Sequence, residues 1–232
     1  MVYWRQKKRI LLAILLIGVW LLQIKYRPIP VFQPSGSEYV TINFILDAGH
    51  GGEDGGAVSV TGVPESSINL DIVLRLSDLM SFLGESSSLL REEDISLHDE
   101  TAKTLREKKV SDLKNRVKVA NQLNTATLLS IHQNTYTESK YHGTQVFYAP
   151  TNGSQELAEI LQTSISSHLQ PTNTRQVKQI PETVYLMNHI SNRAVLVECG
   201  FLTNPEEEAM LRSNTYQKKF VMVLSDALCF QN

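Results

Sequence analysis

The sequence predicts an α/β fold, a single domain whose mainly parallel sheet is flanked by helices on both faces. Three observations predict it. Apolar runs of strand length recur along the chain, segments with helical spacing separate them, and the first run ends in a glycine-rich turn, L-D-A-G-H-G-G at 46 to 52. Alternating strands and helices favour a parallel sheet. The carboxyl edge of such a sheet is where ligands bind.

The predicted strands are runs of apolar, often β-branched residues that suit a buried sheet. They are Val40 to Leu46, Ser88 to Leu90, Ala126 to Ile131, Gly143 to Tyr148 and Ala194 to Val197.

The predicted helices have apolar residues three or four positions apart. They are Ser67 to Phe82, Ser111 to Leu123, Ser154 to Leu169 and Thr215 to Phe230. We expect Ser66 or Ser67 to cap the first helix and Gly84 to end it.

The first 27 residues differ in kind from the rest. A basic cluster from Arg5 to Arg9 precedes the uncharged apolar run Ile10 to Leu22, which has the length of a signal segment. No small-residue cleavage site follows, so we expect an uncleaved membrane anchor with the domain outside the cytoplasmic membrane, a cleaved secretory signal being the alternative. Residues 28–38 are rich in proline and form a predicted linker, and the folded domain spans 39–232.

Composition and charge argue against several classes of function and structure. The chain has 232 residues and a net charge of -2, with no basic face beyond the first thirty residues, so we expect no nucleic-acid partner. Asp54 replaces the last glycine of a G-x-G-x-x-G motif, and with Glu53 it would repel a phosphate, which disfavours nucleotide binding. Two cysteines, Cys199 and Cys229, are too few for a disulfide framework, and we expect both to be small buried side chains.

Four polar side chains are predicted to converge at the carboxyl edge of the sheet. His50, His132 and Glu198 each follow or close a predicted strand, and Glu65 begins the first helix. Two imidazoles and a carboxylate suit a catalytic zinc ion with one open coordination position. Zinc lowers the pKa of bound water to about 7, and a further acidic group can then act as general acid and base. Which glutamate would bind the metal stays open from these residues alone.

Other polar residues near the predicted strand ends have less specific interpretations. A lone histidine is more often a hydrogen-bonded loop or core residue, so the set, and no single member, predicts the metal site. Arg91 and Asp94 are expected to serve loop structure.

Four sequence blocks resemble the zinc-dependent N-acetylmuramoyl-L-alanine amidases, bacterial hydrolases with the third of the common amidase domains. The blocks are L-D-A-G-H-G-G, P-E-S-S-I-N-L at 64 to 70, S-I-H-Q-N at 130 to 134 and L-V-E-C-G-F-L-T-N-P at 196 to 205, within a resemblance spanning 42 to 228. The resemblance implies a six-stranded sheet, one Zn²⁺ ion held by His50, Glu65 and His132, and Glu198 as the catalytic carboxylate. We expect Asn134 either to orient substrate or a neighbouring group, or to serve an ordinary turn.

The resemblance also implies a reaction and a setting. The reaction is hydrolysis of the amide joining the lactyl group of N-acetylmuramic acid to L-alanine of the peptidoglycan stem peptide. The predicted single anchor and the run L-R-E-K-K-V-S-D-L-K-N-R-V at 105 to 117 are most similar to the spore-cortex, germination-specific amidases, although physical reasoning alone reads that run as a solvated amphipathic helix. This subfamily implies a role in muramic-δ-lactam formation, a location in the cell wall or the forespore intermembrane space, and an accessory activating protein.

Two alternatives come from other classes. A zinc peptidase acting within the stem peptide would use the same ion and carboxylate, and only its products would differ. A non-catalytic wall-binding module would lack the acid or a ligand, and all four residues are present.

Overall fold

The computed structural model describes residues 41–229, so the predicted anchor and linker lie outside the described residues. Within this range no helix is long and apolar enough to cross a membrane. The strands are β1 (Phe44–Ala48), β2 (Ser87–Leu89), β3 (Thr127–Asn134), β4 (Gln145–Tyr148), β5 (Lys178–Gln179) and β6 (Ala194–Phe201).

All six strands belong to one sheet with the order β2-β1-β3-β6-β4-β5. Strands β1, β2, β3 and β6 are parallel. Strand β4 runs antiparallel to β6 and parallel to β5. The predicted mainly parallel, six-stranded sheet is therefore confirmed, with two reversed strands at one side.

Helices cover both faces of the sheet, as predicted. They are α1 (Glu65–Phe82), α2 (Leu105–Gln122), α3 (Ser154–His168), α4 (Tyr185–His189), α5 (Pro205–Leu211) and α6 (Asn214–Cys229). Helices α1, α3 and α6 contribute to the larger apolar core on one face, whereas α2 and α4 contribute to a smaller core on the other.

Alternation along the strands directs the site residues toward the second face. Ile131 and Val197 belong to the larger core, so their successors His132 and Glu198, which are paired in register on β3 and β6, point to the side covered by α2 and α4. The sheet therefore places a polar strip at its carboxyl edge, beneath α2.

Several predicted boundaries were wrong for identifiable reasons. Helix α2 begins at Leu105 instead of Ser111, because Thr104 and Glu107 form a capping box in which each side chain accepts a hydrogen bond from the other residue's backbone N–H. The predicted serine cap of α1 is absent; Pro64 precedes the helix without a side-chain cap, and the Ser67 hydroxyl donates to its carbonyl at 2.8 Å.

The shortest elements were missed because two to seven residues carry no readable periodicity; they are β5, α4 and α5. The end of α1 matches the prediction, since Gly84 follows with a φ of +86°. Both cysteines are free, Cys199 buried and Cys229 half-buried.

Candidate metal centre

The three predicted metal ligands lie together at the carboxyl edge of the sheet. Nδ1 of His132 is 3.0 Å from Oε1 of Glu65, and Nε2 of His50 is 3.5 Å from Oε2 of the same carboxylate. One ligand atom from each residue lies within 4.8 Å of the others. Neighbouring ligand atoms around a tetrahedral zinc ion with bonds of about 2.1 Å are roughly 3.4 Å apart. This donor set therefore fits such an ion.

Glycines let the ligands approach the backbone closely. A Cβ on Gly49 would overlap the His132 ring, and one on Gly56 would crowd the Glu65 carboxylate. His50 itself has a φ of +63°, a left-handed conformation that is uncommon for a residue with a side chain. Strain of this kind persists where the surroundings determine the conformation and is typical of functional sites.

Arg91 fixes the loop that carries His50. Its buried guanidinium donates to the carbonyls of Ala48 at 2.8 Å, Gly49 at 3.2 Å and Ser66 at 2.8 Å. It thus ties the end of β1 to the first turn of α1. Asp94 accepts from the backbone N–H of Gly52 at 3.0 Å, so the predicted loop roles of Arg91 and Asp94 are confirmed.

Hydrogen bonds hold the Glu65 carboxylate in its ionised form. Oε1 accepts from the backbone N–H of Gln133 at 3.0 Å and from the Asn69 amide at 3.3 Å, and Oε2 accepts from the N–H of Ala57 at 3.0 Å. Burial favours the neutral acid, but the hydrogen bond and charge of His132 outweigh it and lower the pKa of Glu65 to about 2. A charged, oriented carboxylate is the form that binds a cation.

Asp54 orients the other imidazole. Its Oδ2 is 3.1 Å from Nδ1 of His50 and 3.1 Å from Nζ of Lys109. The hydrogen bond with His50 holds the pKa of this carboxyl well below its usual range. Because Nδ1 is engaged by Asp54, Nε2 of His50 is left to face Glu65 and the cluster.

Glu198 lies beside the cluster, and one of its carboxylate oxygens has no hydrogen-bond partner among the described residues. Its Oε2 is buried and makes no hydrogen bond within residues 41–229. Burial raises the pKa of Glu198 to about 7, with the neighbouring charge of Glu65 acting in the same direction. A carboxyl group with this pKa can both take up and release a proton near neutral pH.

A buried charge network lies under the ligand loop and was not found from the sequence. Nη1 of Arg116 is 2.5 Å from Oδ1 of Asp47, and its Nε is 2.8 Å from Oδ2 of Asp112. Ser130 donates to the other Asp47 oxygen at 2.6 Å. Arg116 also donates to the carbonyl of His50 at 2.7 Å, so the network anchors a predicted ligand through its backbone.

This network corrects the interpretation of the run at 105 to 117 as a solvated helix. The buried residues of α2 are Asp112, Arg116 and Ala120, so two of the three are charged. The sequence signal was the i, i+4 spacing of Asp112 and Arg116, which suits a helical ion pair, but the pattern did not show which strand the pair would meet.

Asn134, the last residue of β3, lies at the same edge. Its backbone carbonyl accepts from the N–H of Leu202 at 2.8 Å, and its side chain is half-buried. The backbone bond links β3 to the segment after β6, and a substrate role for the side chain stays a prediction.

Comparison with known proteins matches this geometry to one family. The family described as N-acetylmuramoyl-L-alanine amidase matches residues 44–229. The chain belongs to the N-acetylmuramoyl-L-alanine amidase family. Membership makes it a hydrolase, an amidase that acts on peptidoglycan.

Individual relatives agree with this assignment. The amidase is 35% identical over 175 residues to the germination-specific N-acetylmuramoyl-L-alanine amidase of Bacillus subtilis, covering 75% of this chain and 73% of the relative. It is 38% identical to the CwlD amidase of Clostridioides difficile, solved in complex with the GerS lipoprotein, with a TM-score of 0.77 over 80% of this chain and 95% of the other. An N-acetylmuramoyl-L-alanine amidase from Clostridium difficile 630 is 27% identical, with a TM-score of 0.69 over 82% and 95% of the two chains.

A cavity of about 250 Å³ opens beside His50 and His132 of the candidate metal centre of this amidase. His50 and His132 line one wall, and Val184, Leu186 and Met187 from the α4 region line another. A polar cluster facing an apolar wall is typical of a small-molecule site. The missed helix α4 is thus part of the site.

Gly49→Ala tests how closely the backbone must approach His132. The added Cβ would overlap the imidazole, which the hydrogen bond to Glu65 holds in place, so we expect the ring to move and the metal content of the purified amidase to fall about tenfold or more. Elemental analysis measures this. Gly62→Ala is the control: a Cβ there meets no atom within 4 Å, and the strain that an alanine suffers at its φ of +86° falls in an exposed turn that touches no ligand side chain. Equal metal content in both variants would contradict the prediction.

Proposed function

We propose that this amidase holds one zinc ion with His50, Glu65 and His132 and uses Glu198 as its catalytic carboxylate. Its reaction would be hydrolysis of the amide between the lactyl group of N-acetylmuramic acid and L-alanine of the stem peptide. The observation that supports this most directly is the pair of imidazoles flanking the ionised Glu65, with all three ligand atoms within 4.8 Å of one another, next to the free oxygen of Glu198.

Each residue has a distinct task in this proposal. A zinc ion bound there would polarise the scissile carbonyl and activate water. Glu198 takes a proton from the attacking water through its unpaired Oε2 and passes it to the departing amine of alanine. Asp54 and the Arg116 network hold the side chain and the backbone of His50 in position. Asn134, at the end of β3, orients substrate.

The setting we propose is the maturation of spore cortex. The 35% identity to a germination-specific amidase supports it. The cut would supply the substrate for muramic-δ-lactam formation, with a separate deacetylase completing the step. Since the CwlD amidase was solved with a lipoprotein, we also propose an accessory activating protein for this chain.

We propose a chain organisation that suits this setting. Residues 1–27 would anchor the protein in the membrane, residues 28–38 would form the linker, and residues 39–232 would form the catalytic domain outside the cytoplasmic membrane, in the cell wall or the forespore intermembrane space. The basic cluster before the apolar run supports this orientation.

Metal removal and product analysis test the proposal together. Treating the purified full-length protein with a chelator should lower peptidoglycan hydrolysis about a hundredfold or more, since such an ion supplies several kcal/mol of transition-state stabilisation, and added zinc should restore it. Mass spectrometry should find peptides with a free L-alanine amino terminus and uncut glycan strands. Fragments cut within the stem peptide would instead identify a peptidase, and chelator-resistant hydrolysis would contradict the metal assignment.

A further inference from the structure

A second pocket opens at the carboxyl edge of the sheet, beside β4 and β6. Its volume is about 320 Å³, and it is lined by Arg175, Lys140, Tyr141, His142 and the segment 172–174. Two side chains of this lining carry a permanent positive charge, and no carboxylate belongs to it. The pocket is therefore suited to an anion.

The strand arrangement places this pocket next to the proposed catalytic carboxylate. Because β4 runs antiparallel to β6, its first residue, Gln145, lies at the carboxyl edge and is the register partner of Glu198. Paired residues in a sheet project to the same face. Nη1 of Arg175 donates to Oε1 of Gln145 at 3.2 Å. Gln145 thus links the guanidinium to the position directly beside Glu198.

The guanidinium is fixed while one of its edges stays free. Its Nε donates to the carbonyl of His142 at 2.8 Å, and its plane lies over the Phe201 ring, 4.6 Å from the centroid. Nη2 makes no hydrogen bond to any of the residues 41–229, and Arg175 forms no ion pair within that range. Glu207 is close enough for Arg175 to lower its pKa slightly against the larger effect of burial, but its two oxygens accept from the N–H groups of Gly143 and Phe201.

An arginine held in this way is prepared for a carboxylate. The planar fork binds carboxylates with directed hydrogen bonds, and little side-chain entropy is lost when it is already fixed. Lys140 differs, because it is exposed and pairs with Glu138 at 2.6 Å, so it adds only a general positive potential.

We propose that Arg175 binds a free carboxylate on the peptide side of the scissile amide, so that this enzyme selects acidic stem peptides. The inference rests on the proposed function and names a specificity-determining residue for it. The N-acetylated sugars of the glycan carry no charge near the scissile bond, whereas the stem peptide carries free carboxylates. A cationic pocket can therefore recognise only the peptide.

Two synthetic substrates test this subsite. Both are muramoyl peptides whose second residue is γ-linked D-glutamate, and they differ only in whether its α-carboxylate is free or converted to the amide. We expect the zinc-loaded, full-length enzyme to show a kcat/KM about tenfold or more higher for the free acid, mainly through KM. Arg175→Met should abolish this preference, and Arg193→Met should keep it, because Arg193 is an exposed arginine at the opposite edge of the sheet, next to Thr127.

The outcomes separate this inference from the proposed function. Equal kcat/KM for the two substrates in the wild type, or a preference retained by Arg175→Met, would overturn the subsite. If neither substrate is cleaved, the proposed function fails, and calorimetry with the peptide parts of the two substrates, in which the γ-carboxyl of D-glutamate stays linked to a third residue, still tests Arg175: tighter binding of the acid supports the subsite and equal binding overturns it. Should Arg175→Met fail to fold, Arg175→Lys decides, since it keeps the charge but loses the fork and should reduce the preference about threefold or more.

Discussion

Glu198→Gln is expected to lower kcat by about 10²- to 10⁴-fold, the range for loss of a general acid–base group, while the purified enzyme keeps its metal. Glutamine has the size of glutamate but cannot take up a proton. Glu198 lies outside the group of three side chains whose ligand atoms cluster within 4.8 Å, so its loss removes no ligand. Turnover on defined peptidoglycan and zinc content by elemental analysis measure the two effects separately.

Glu65→Gln is the matched control, since it makes the same chemical change at the other carboxylate. An amide cannot replace the ionised Glu65 between two imidazoles, so this variant should lose both metal and activity. The contrast between the two glutamates is the informative result. Metal loss in Glu198→Gln, or full activity in either variant, would contradict the assignment of ligand and acid.

The four residues of the proposed site could be predicted because each lies near the carboxyl end of a strand or at the start of a helix. His50 follows β1 and Glu65 begins α1, whereas His132 and Glu198 lie two and three residues before the ends of β3 and β6, which continue past the predicted strand ends. An apolar run that stops at a histidine or glutamate is visible in sequence, and the parallel arrangement then brings such residues to one edge. His50, His132 and Glu198 were found in this way. The choice of Glu65 as ligand depended on family resemblance, because the spacing of residues cannot distinguish two carboxylates that face the same space.

The residues that hold the site in place, and the helix that lines its cavity, could not be predicted in this way. Arg116 donates hydrogen bonds to Asp47 and to the carbonyl of Ala48, which are 68 or more residues away in the sequence. These contacts depend on how α2 lies across the sheet. Helix α4, which lines the cavity, has five residues and no periodicity to detect. Sequence patterns report local periodicity, whereas these contacts depend on tertiary packing.

Arg116→Met is expected to destabilise the protein by about 3 to 5 kcal/mol, the cost of breaking a buried ion pair by removing one partner. Arg116 and Asp47 are 2% and 1% exposed, so the variant would leave the Asp47 carboxylate buried with Ser130 as its remaining side-chain hydrogen-bond partner among residues 41–229. The variant also loses the hydrogen bond to the His50 carbonyl, so zinc affinity should fall. Urea unfolding of the metal-free protein isolates the first effect.

The pH dependence of this destabilisation identifies its cause. In the wild type, burial raises the pKa of Asp47, but Arg116 and Ser130 outweigh burial and hold it below the usual value of 3.8. The stability that this depressed pKa provides is complete above the unfolded pKa and is lost as the pH falls through the folded one. Without Arg116, burial should raise the pKa above 3.8, so the variant gains relative stability on acidification. The difference between the two proteins should therefore be largest at pH 7 and shrink toward pH 4.

An exposed ion pair serves as the control, because it shows how much stability is lost when an ion pair is broken at the surface instead of in the interior. Lys140→Met removes the partner of Glu138, an ion pair at 2.6 Å between exposed side chains, and should cost less than about 1 kcal/mol with no such pH trend. A double-mutant cycle with Asp47→Asn and Arg116→Met should give a coupling energy of about 0.5 to 3 kcal/mol, because both changes act on one contact. Additive effects would mean that Arg116 stabilises the fold through Asp112 and its backbone carbonyl contacts, and the ligand loop would then depend on α2 without depending on Asp47.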